Sequence, residues 1–171
     1  MISKKMEKAL NEQLKNEIFS SYLYLSMSAW ASSNGLKGFA NWFYVQSKEE
    51  MVHAIKFYQY ILDQGAEVEL HEIPKPEKNF KDPVNLFDEV LKHEKFITKS
   101  IYNLVDLALE ERDHATNAFL QWFVSEQVEE EASVNEILDQ LKLTKSDGNG
   151  IFMIDKELAT RTFTLPVGVT V

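Results

Sequence analysis

A charged cluster stands inside a helical segment of the sequence: Glu49-Glu50-Met51-Val52-His53. On both sides of it, apolar residues recur at spacings of three or four, which predicts an α-helix with one buried face. Glu50 and His53 are three residues apart and lie on that buried face. The same face continues through Phe43, Gln46, Phe57 and Ile61. A carboxylate and an imidazole at core positions of one helix need buried partners or a special function.

Helical periodicity extends over most of the chain of 171 residues, which contains only 6 glycines and 4 prolines. Strong helix formers fill the segments between these breaks. We predict four long helices and a shorter fifth one, at residues 3–33, 36–64, 83–110, 113–142 and 150–161. Because the four long helices have similar lengths, an all-α four-helix bundle is the favoured architecture.

The connections set the topology of this bundle. Short turns join the first helix to the second and the third to the fourth, so these pairs are antiparallel. Residues 66–82 can travel the length of the bundle, since an extended chain spans about 3.3 Å per residue. One long crossover of this kind predicts an up-down-down-up arrangement. The fifth helix has an apolar stripe, and we expect it to support assembly with other copies: Ile151, Ile154 and Leu158.

Each long helix carries one glutamate in its apolar stripe: Glu17, Glu50, Glu94 and Glu130. An unpaired buried carboxylate costs several kcal/mol, and no lysine or arginine shares these stripes to offset that cost. In each antiparallel pair, the glutamates lie at similar distances from the shared turn. They are therefore predicted to form one layer halfway along the bundle.

Two more residues in this layer complete the pattern of a dimetal centre. His53 follows Glu50 by three positions, and Gln127 precedes Glu130 by three. Single glutamates from two helices and Glu-x-x-His pairs from the other two are typical of di-iron and di-manganese proteins. Here Gln127-x-x-Glu130 stands in place of the second pair. Carboxylate and imidazole ligands suit iron, and exchange between Fe(II) and Fe(III) is the expected chemistry.

Further side chains near this layer have two interpretations. Glu49, Glu126 and Glu129 are either a solvated helix surface or a third, weaker cation position on a path outward.

Tyr24 lies on the inner stripe of the first helix, where its hydroxyl needs a polar partner, and its expected role is support of the centre or electron donation. The remaining candidates are interpreted as a packing residue (Trp122) and as surface residues (His71, His93, His114).

The composition narrows the class of function. Acidic residues outnumber basic residues 27 to 18, and the formal net charge is −9. This balance argues against a nucleic-acid partner, which needs a basic surface. The absence of cysteine excludes disulfides, thiolate metal sites and a rubredoxin-type iron centre. We see no secretory signal and no apolar run of about 18 residues, so we expect a cytoplasmic protein with no membrane span.

Several motifs together resemble those of prokaryotic non-haem ferritins, over about residues 1–160. They lie at residues 10–13, 17, 22–27, 49–53, 93–94 and 119–131. The resemblance implies a ferroxidase centre in which Glu17, Glu50 and His53 bind the first iron. Glu50, Glu94 and Glu130 then bind the second iron, with Gln127 adjacent. It further implies a third iron position at Glu49, Glu126 and Glu129, and a tyrosine, Tyr24, beside the centre.

The resemblance also implies an activity. Ferritins of this kind oxidise Fe(II) with oxygen or hydrogen peroxide and store a ferric oxyhydroxide mineral in a homo-oligomeric, octahedral shell of 24 subunits. We expect no haem, although Met51 stands where haem-binding relatives place a methionine, because Gln127 and Glu130 replace their second Glu-x-x-His pair. Three alternatives are a dimetal oxidase without storage, a structural bundle without metal chemistry, and a DNA-protecting mini-ferritin.

The chain divides into a ferritin-like di-iron domain at residues 1–161 and a C-terminal tail at 162–171. The tail contains no charged side chain. It is either unattached or packed on a neighbouring subunit, and the sequence assigns it no function.

Overall fold

The computed structural model describes residues 2–145 and 147–165. These residues form five α-helices: α1 (Lys4–Ser33), α2 (Lys37–Asp63), α3 (Pro83–Glu110), α4 (His114–Leu143) and α5 (Gly148–Leu158). This confirms the predicted all-α bundle with a short fifth helix. The four long helices begin and end within one residue of the predicted positions, whereas α5 starts two residues earlier than expected and ends three residues earlier.

Side-chain caps explain where α1, α3 and α5 begin. Ser3 accepts a hydrogen bond from the backbone N–H of Met6 at 3.0 Å, and Asp82 accepts one at the start of α3, where Pro83 fits the first turn. Asp147 accepts from the N–H groups of Asn149 and Gly150, both at 3.1 Å. This last cap was not predicted, and it accounts for the earlier start of α5.

The helices pack in two antiparallel pairs. Helix α1 packs along α2, α3 packs along α4, and α1 also contacts α3, while α5 lies against α2 and α4. Residues 64–82 form the long crossover between the pairs. Asn11 holds this segment on α1, because its side chain donates to the carbonyl of Glu67 at 2.9 Å and accepts from the N–H of Glu69 at 2.7 Å.

Two apolar clusters fill the bundle, one on each side of a polar layer. Tyr24, Phe43, Phe87 and Val134 belong to the first cluster. Leu14, Phe57, Ile101 and Phe123 belong to the second. Four glutamates and a histidine lie buried between the two clusters: Glu17, Glu50, His53, Glu94 and Glu130.

The apolar stripe of α5 covers the chain's own bundle. Ile154 and Leu158 are buried and belong to the first apolar cluster, against which Ile151 packs. The expectation that this stripe is left over for contacts with other copies was therefore wrong. Among the described residues, no helix is both long and apolar enough to cross a membrane.

Candidate metal centre

One half of the polar layer joins α1 to α2. Glu17, Glu50 and His53 are each at most 2% exposed, and they offer ligand atoms within 4.8 Å of one another. Nδ1 of His53 lies 3.3 Å from Oε2 of Glu50. Within the described chain, Oε2 of Glu17 and Nε2 of His53 have no hydrogen-bond partner. A buried carboxylate oxygen and an imidazole nitrogen without partners are suited to hold a cation.

The other half of the layer comes from α3 and α4. The hydroxyl of Tyr24 donates to Oε1 of Glu94, and Nε2 of Gln127 donates to Oε2 of the same carboxylate at 3.1 Å. Glu130 lies across from Glu50, and a single amide reaches both of them, since Nε2 of Gln46 is 2.7 Å from Oε2 of Glu130. We call Glu17, Glu50, His53, Glu94 and Glu130 the inner centre.

Two glutamines that support the inner centre were not assigned a role from the sequence. Gln46 donates to Oε1 of Glu50 at 3.2 Å as well as to Glu130. Gln13 donates to Oε1 of Glu17 at 2.7 Å. Each glutamine precedes its glutamate by four residues, which is the spacing that places two side chains side by side on a helix. This repeated Gln-x-x-x-Glu spacing is the signal that would have found them.

The buried carboxylates hold protons at neutral pH in the absence of a metal. Burial, followed by the charge of Glu50, raises the pKa of Glu17 to about 8. The same two causes raise the pKa of Glu94 to about 8, and burial with the charge of Glu94 does so for Glu130. Burial and the charge of Glu130 also raise the pKa of Glu50. A bound cation would allow these groups to ionise, so metal binding releases protons.

A cleft of about 470 Å³ between α2 and α4 opens next to the inner centre. We call it the acidic cleft, and its lining includes Glu49, Trp122, Glu126, Glu129, Ser133 and Arg161. Nε2 of His53 lies 3.9 Å from Oε1 of Glu126, and His53, Glu126 and Glu130 form a second group that could hold a metal. Glu49 is ion-paired with Arg161. The acidic cleft therefore brings together the three residues expected at a third iron position, but one of them already has a cation as its partner.

His93 is half-buried, so its interpretation as a surface residue was only partly right. Its Nε2 lies 2.7 Å from Oγ of Ser20, and its ring meets the rings of Phe19 and Tyr24 edge-on. Burial lowers its pKa to about 4, so the imidazole is neutral. The difference arises because His93 lies outside the inner stripe of α3, yet α1 packs against that side of the helix.

The positions of His71, His114 and Trp122 are closer to those expected from the sequence. His114 is exposed and His71 is half-buried, with Nδ1 of His71 3.2 Å from Oε2 of Glu12. Trp122 packs edge-on to the ring of His53, with ring centroids 5.3 Å apart. It also lines the acidic cleft, so its packing places an indole between the inner centre and the cleft.

A four-helix bundle with a long crossover and buried carboxylates from all four helices is the architecture of a ferritin-like domain. The family model described as the ferritin-like domain matches residues 7–144. The bacterial non-heme ferritin of Campylobacter jejuni is 44% identical over 156 residues, covering 91% of this chain and 93% of the relative. That of Staphylococcus aureus is 39% identical and covers 95% and 98%.

Solved structures give the same result. An Archaeoglobus fulgidus ferritin engineered into a closed form is 46% identical, with a TM-score of 0.94 over 96% of this chain and 100% of that chain. The open-pore ferritin from the same hyperthermophilic archaeon is 45% identical, with a TM-score of 0.94 over 95% and 100%. The chain belongs to the ferritin family.

Proposed function

We propose that this ferritin oxidises Fe(II) to Fe(III) at the inner centre and stores the ferric product as an oxyhydroxide mineral inside a shell of 24 subunits. The observation that carries the proposal is the polar layer itself. Four buried carboxylates and one imidazole share one level of an apolar bundle, and two of their ligand atoms have no partner in the described chain. The iron-storage role is supported by the curated relatives, which are bacterial non-heme ferritins.

Iron is the substrate of the proposed reaction, and each ligand has a role. Glu17, Glu50 and His53 would bind one Fe(II), and the cluster of their ligand atoms supports this. Glu94 and Glu130 would bind a second Fe(II) that Glu50 shares, with Gln127 orienting Glu94. Two Fe(II) ions together supply the two electrons that reduce oxygen to hydrogen peroxide, or peroxide to water. The protons released by the carboxylates on metal binding are available to that reduction.

Tyr24 and the acidic cleft would assist this reaction. The Tyr24 hydroxyl is held by Glu94, so the phenol is placed to donate an electron to the centre and receive it back. Glu49, Glu126 and Glu129 would form a third iron position, through which iron passes between the inner centre and the surface. The hard Fe(III) product prefers oxygen ligands, and an outward path lined by carboxylates suits its release.

The domain limits also belong to this proposal. We propose residues 1–161 as the di-iron domain and 162–171 as a separate tail. Phe163 lies beside Lys48, with 5.9 Å between Nζ and the ring centroid, and residues 166–171 lie outside the described part of the chain. The expectations that the protein binds no haem and is located in the cytoplasm stay predictions.

Replacing Glu50 tests the reaction, because Oε2 of Glu50 lies 3.3 Å from Nδ1 of His53 and Glu50 shares the amide of Gln46 with Glu130. The initial rate of Fe(II) oxidation in air should fall at least about tenfold in Glu50→Ala, while Glu12→Ala, an exposed glutamate on α1, keeps the rate. An unchanged rate in Glu50→Ala would favour a structural bundle without metal chemistry.

Excess Fe(II) tests storage and separates it from a simple oxidase. A soluble brown particle that co-elutes with a species of 24 chains, each of 19.8 kDa, supports the proposal. A loose precipitate beside a small oligomer would leave only a dimetal oxidase.

A further inference from the structure

Arg161 places a positive charge in the acidic cleft. The residue follows α5, and its Nη2 is ion-paired with Oε2 of Glu49. The guanidinium lies over the ring of Trp42, 4.6 Å from the centroid, which adds a cation–π contact. The two paired side chains are only 25% and 16% exposed. A partly buried pair of this kind is stronger than an ordinary surface ion pair.

The position of Arg161 is fixed by the docking of α5. Nδ2 of Asn41 donates to the carbonyl of Arg161 at 2.9 Å and to that of Leu158 at 3.2 Å. Asp155 on α5 accepts hydrogen bonds from the N–H groups of Gly38 and Phe39 at 2.7 and 3.1 Å. The end of α5 is therefore tied to the start of α2, and this delivers the arginine to Glu49.

His53 connects the acidic cleft to the inner centre. Its Nδ1 faces Glu50 at 3.3 Å, and its Nε2 faces Glu126 at 3.9 Å. The side chain is 2% exposed, and Nε2 has no hydrogen-bond partner in the described chain. Glu126 and Glu129 line the acidic cleft, and Nε2 of His53 approaches Glu126 from the side of the inner centre. Glu49 is the carboxylate of this lining that is ion-paired with an arginine in the described chain, so a cation bound there would compete with Arg161 for it.

We infer that Arg161 sets the cation affinity of the acidic cleft, as an internal cation that a divalent ion must displace from Glu49 in order to bind there. The inference rests on the proposed function only in naming Fe(II) as that ion. Its consequence is a cleft of low affinity, which passes iron on and does not retain it. The inner centre, which has no such internal cation among its described neighbours, would bind iron more tightly.

Titration with Zn(II), which has no redox chemistry, tests this inference on the assembled protein. By isothermal titration calorimetry, the weakest binding step should become about tenfold tighter in Arg161→Gln than in the wild type. Arg161→Lys keeps a positive charge beside Glu49 and should stay within about threefold of the wild type. Lys156→Gln removes the same charge from an exposed position on α5 and should leave every step unchanged.

A double substitution isolates the contact with Glu49. In Glu49→Gln, the further change Arg161→Gln should bring no gain in affinity, because the carboxylate for which arginine and zinc compete is gone. An equal gain with and without Glu49 would overturn the inference, and so would a weakest step in Arg161→Gln within twofold of the wild type. Neither outcome touches the proposed reaction, which the Glu50→Ala rate tests separately.

A crystal structure of the wild type soaked in Zn(II) tests the inference without any substitution. Zinc bound to Glu49, with the guanidinium moved away, supports displacement. Zinc bound to Glu126 and Glu129 while Arg161 still pairs with Glu49 would overturn it.

Discussion

At the scale of single residues, the buried carboxylates of the inner centre make the stability of the metal-free protein depend on pH. Glu17, Glu94 and Glu130 each have a pKa of about 8 in the folded chain, against about 4.3 in an unfolded chain. The metal-free folded state therefore binds more protons than the unfolded state at neutral pH. The contribution of these groups to the free energy of unfolding is fully present below about pH 4.3, where they are protonated in both states. It is lost as the pH rises towards about 8.

Glu17→Gln should reveal this pH dependence, because an amide does not titrate. The metal-free variant and wild type should have similar thermal stability at about pH 5, and the variant should become more stable by about 1 to 3 kcal/mol at about pH 8. Thermal unfolding at the two pH values measures the difference. Glu12→Gln on the same helix is the control, since Glu12 is exposed. A difference for Glu17→Gln that does not grow with pH would contradict the raised pKa.

Gln46 is expected to position the two carboxylates that it bridges. Gln46→Leu leaves Glu50 and Glu130 without this donor, so the metal-free protein should lose about 1 to 3 kcal/mol of stability. Initial Fe(II) oxidation should slow by about threefold to tenfold, because misplaced ligands bind iron less well. Gln59→Leu, the same change at an exposed position of α2, should affect neither the melting temperature nor the rate. Wild-type behaviour of Gln46→Leu in both measurements would exclude a positioning role.

Residues on a periodic stripe could be predicted from the sequence, and residues whose partners are distant could not. Glu17, Glu50, Glu94 and Glu130 interrupt apolar stripes, so their burial follows from helical spacing alone. Arg161 was not predicted, because its partner Glu49 lies on α2, far away in the sequence, and only the docking of α5 brings the two together. The partial burial of His93 was missed for the same reason, since contact between α1 and α3 covers it from the side.

At the scale of elements, the contact between α5 and α2 depends on a glycine. A Cβ on Gly38 would lie 1.6 Å from the backbone oxygen of Asp155, so only glycine allows this close approach. The helices α1 to α4 were predictable to within one residue. Side-chain caps mark the starts of α1, α3 and α4, and glycines follow the ends of α1 and α2. The place where α5 packs could not be predicted, because the local sequence specifies neither the helix that α5 contacts nor the distance between the two.

Gly38→Ala should weaken the docking of α5. The added methyl group forces the two backbones apart, and we expect a loss of about 1 to 3 kcal/mol. The lowered melting temperature should be accompanied by faster proteolysis near the turn between α4 and α5. Gly148→Ala is the matched control, because a Cβ there meets nothing within 4 Å. Equal stability of the two variants would show that α5 can shift without cost.

At the scale of the whole molecule, α2 presents two different faces. Its inner face carries part of the inner centre. Its outer face carries four large apolar side chains at spacings of three or four residues and a fifth, Tyr44, seven residues before the first of them: Met51, Ile55, Tyr58 and Leu62. Each of these is between 37% and 48% exposed in the single chain. An apolar stripe of this kind from Met51 to Leu62 on a chain of net charge −9 is typical of a surface covered by another copy.

Ile55→Glu tests whether the outer stripe of α2 holds subunits together. A buried carboxylate at a subunit contact would be costly, so the variant should elute from size-exclusion chromatography as a much smaller species. Its circular dichroism should keep the helical signal, because Ile55 lies outside the core of its own bundle. Asn103→Glu adds the same charge at an exposed position of α3 and should keep the full assembly. If Ile55→Glu retains the wild-type mass, the stripe does not hold copies of the chain together, and contacts between copies would use other surfaces.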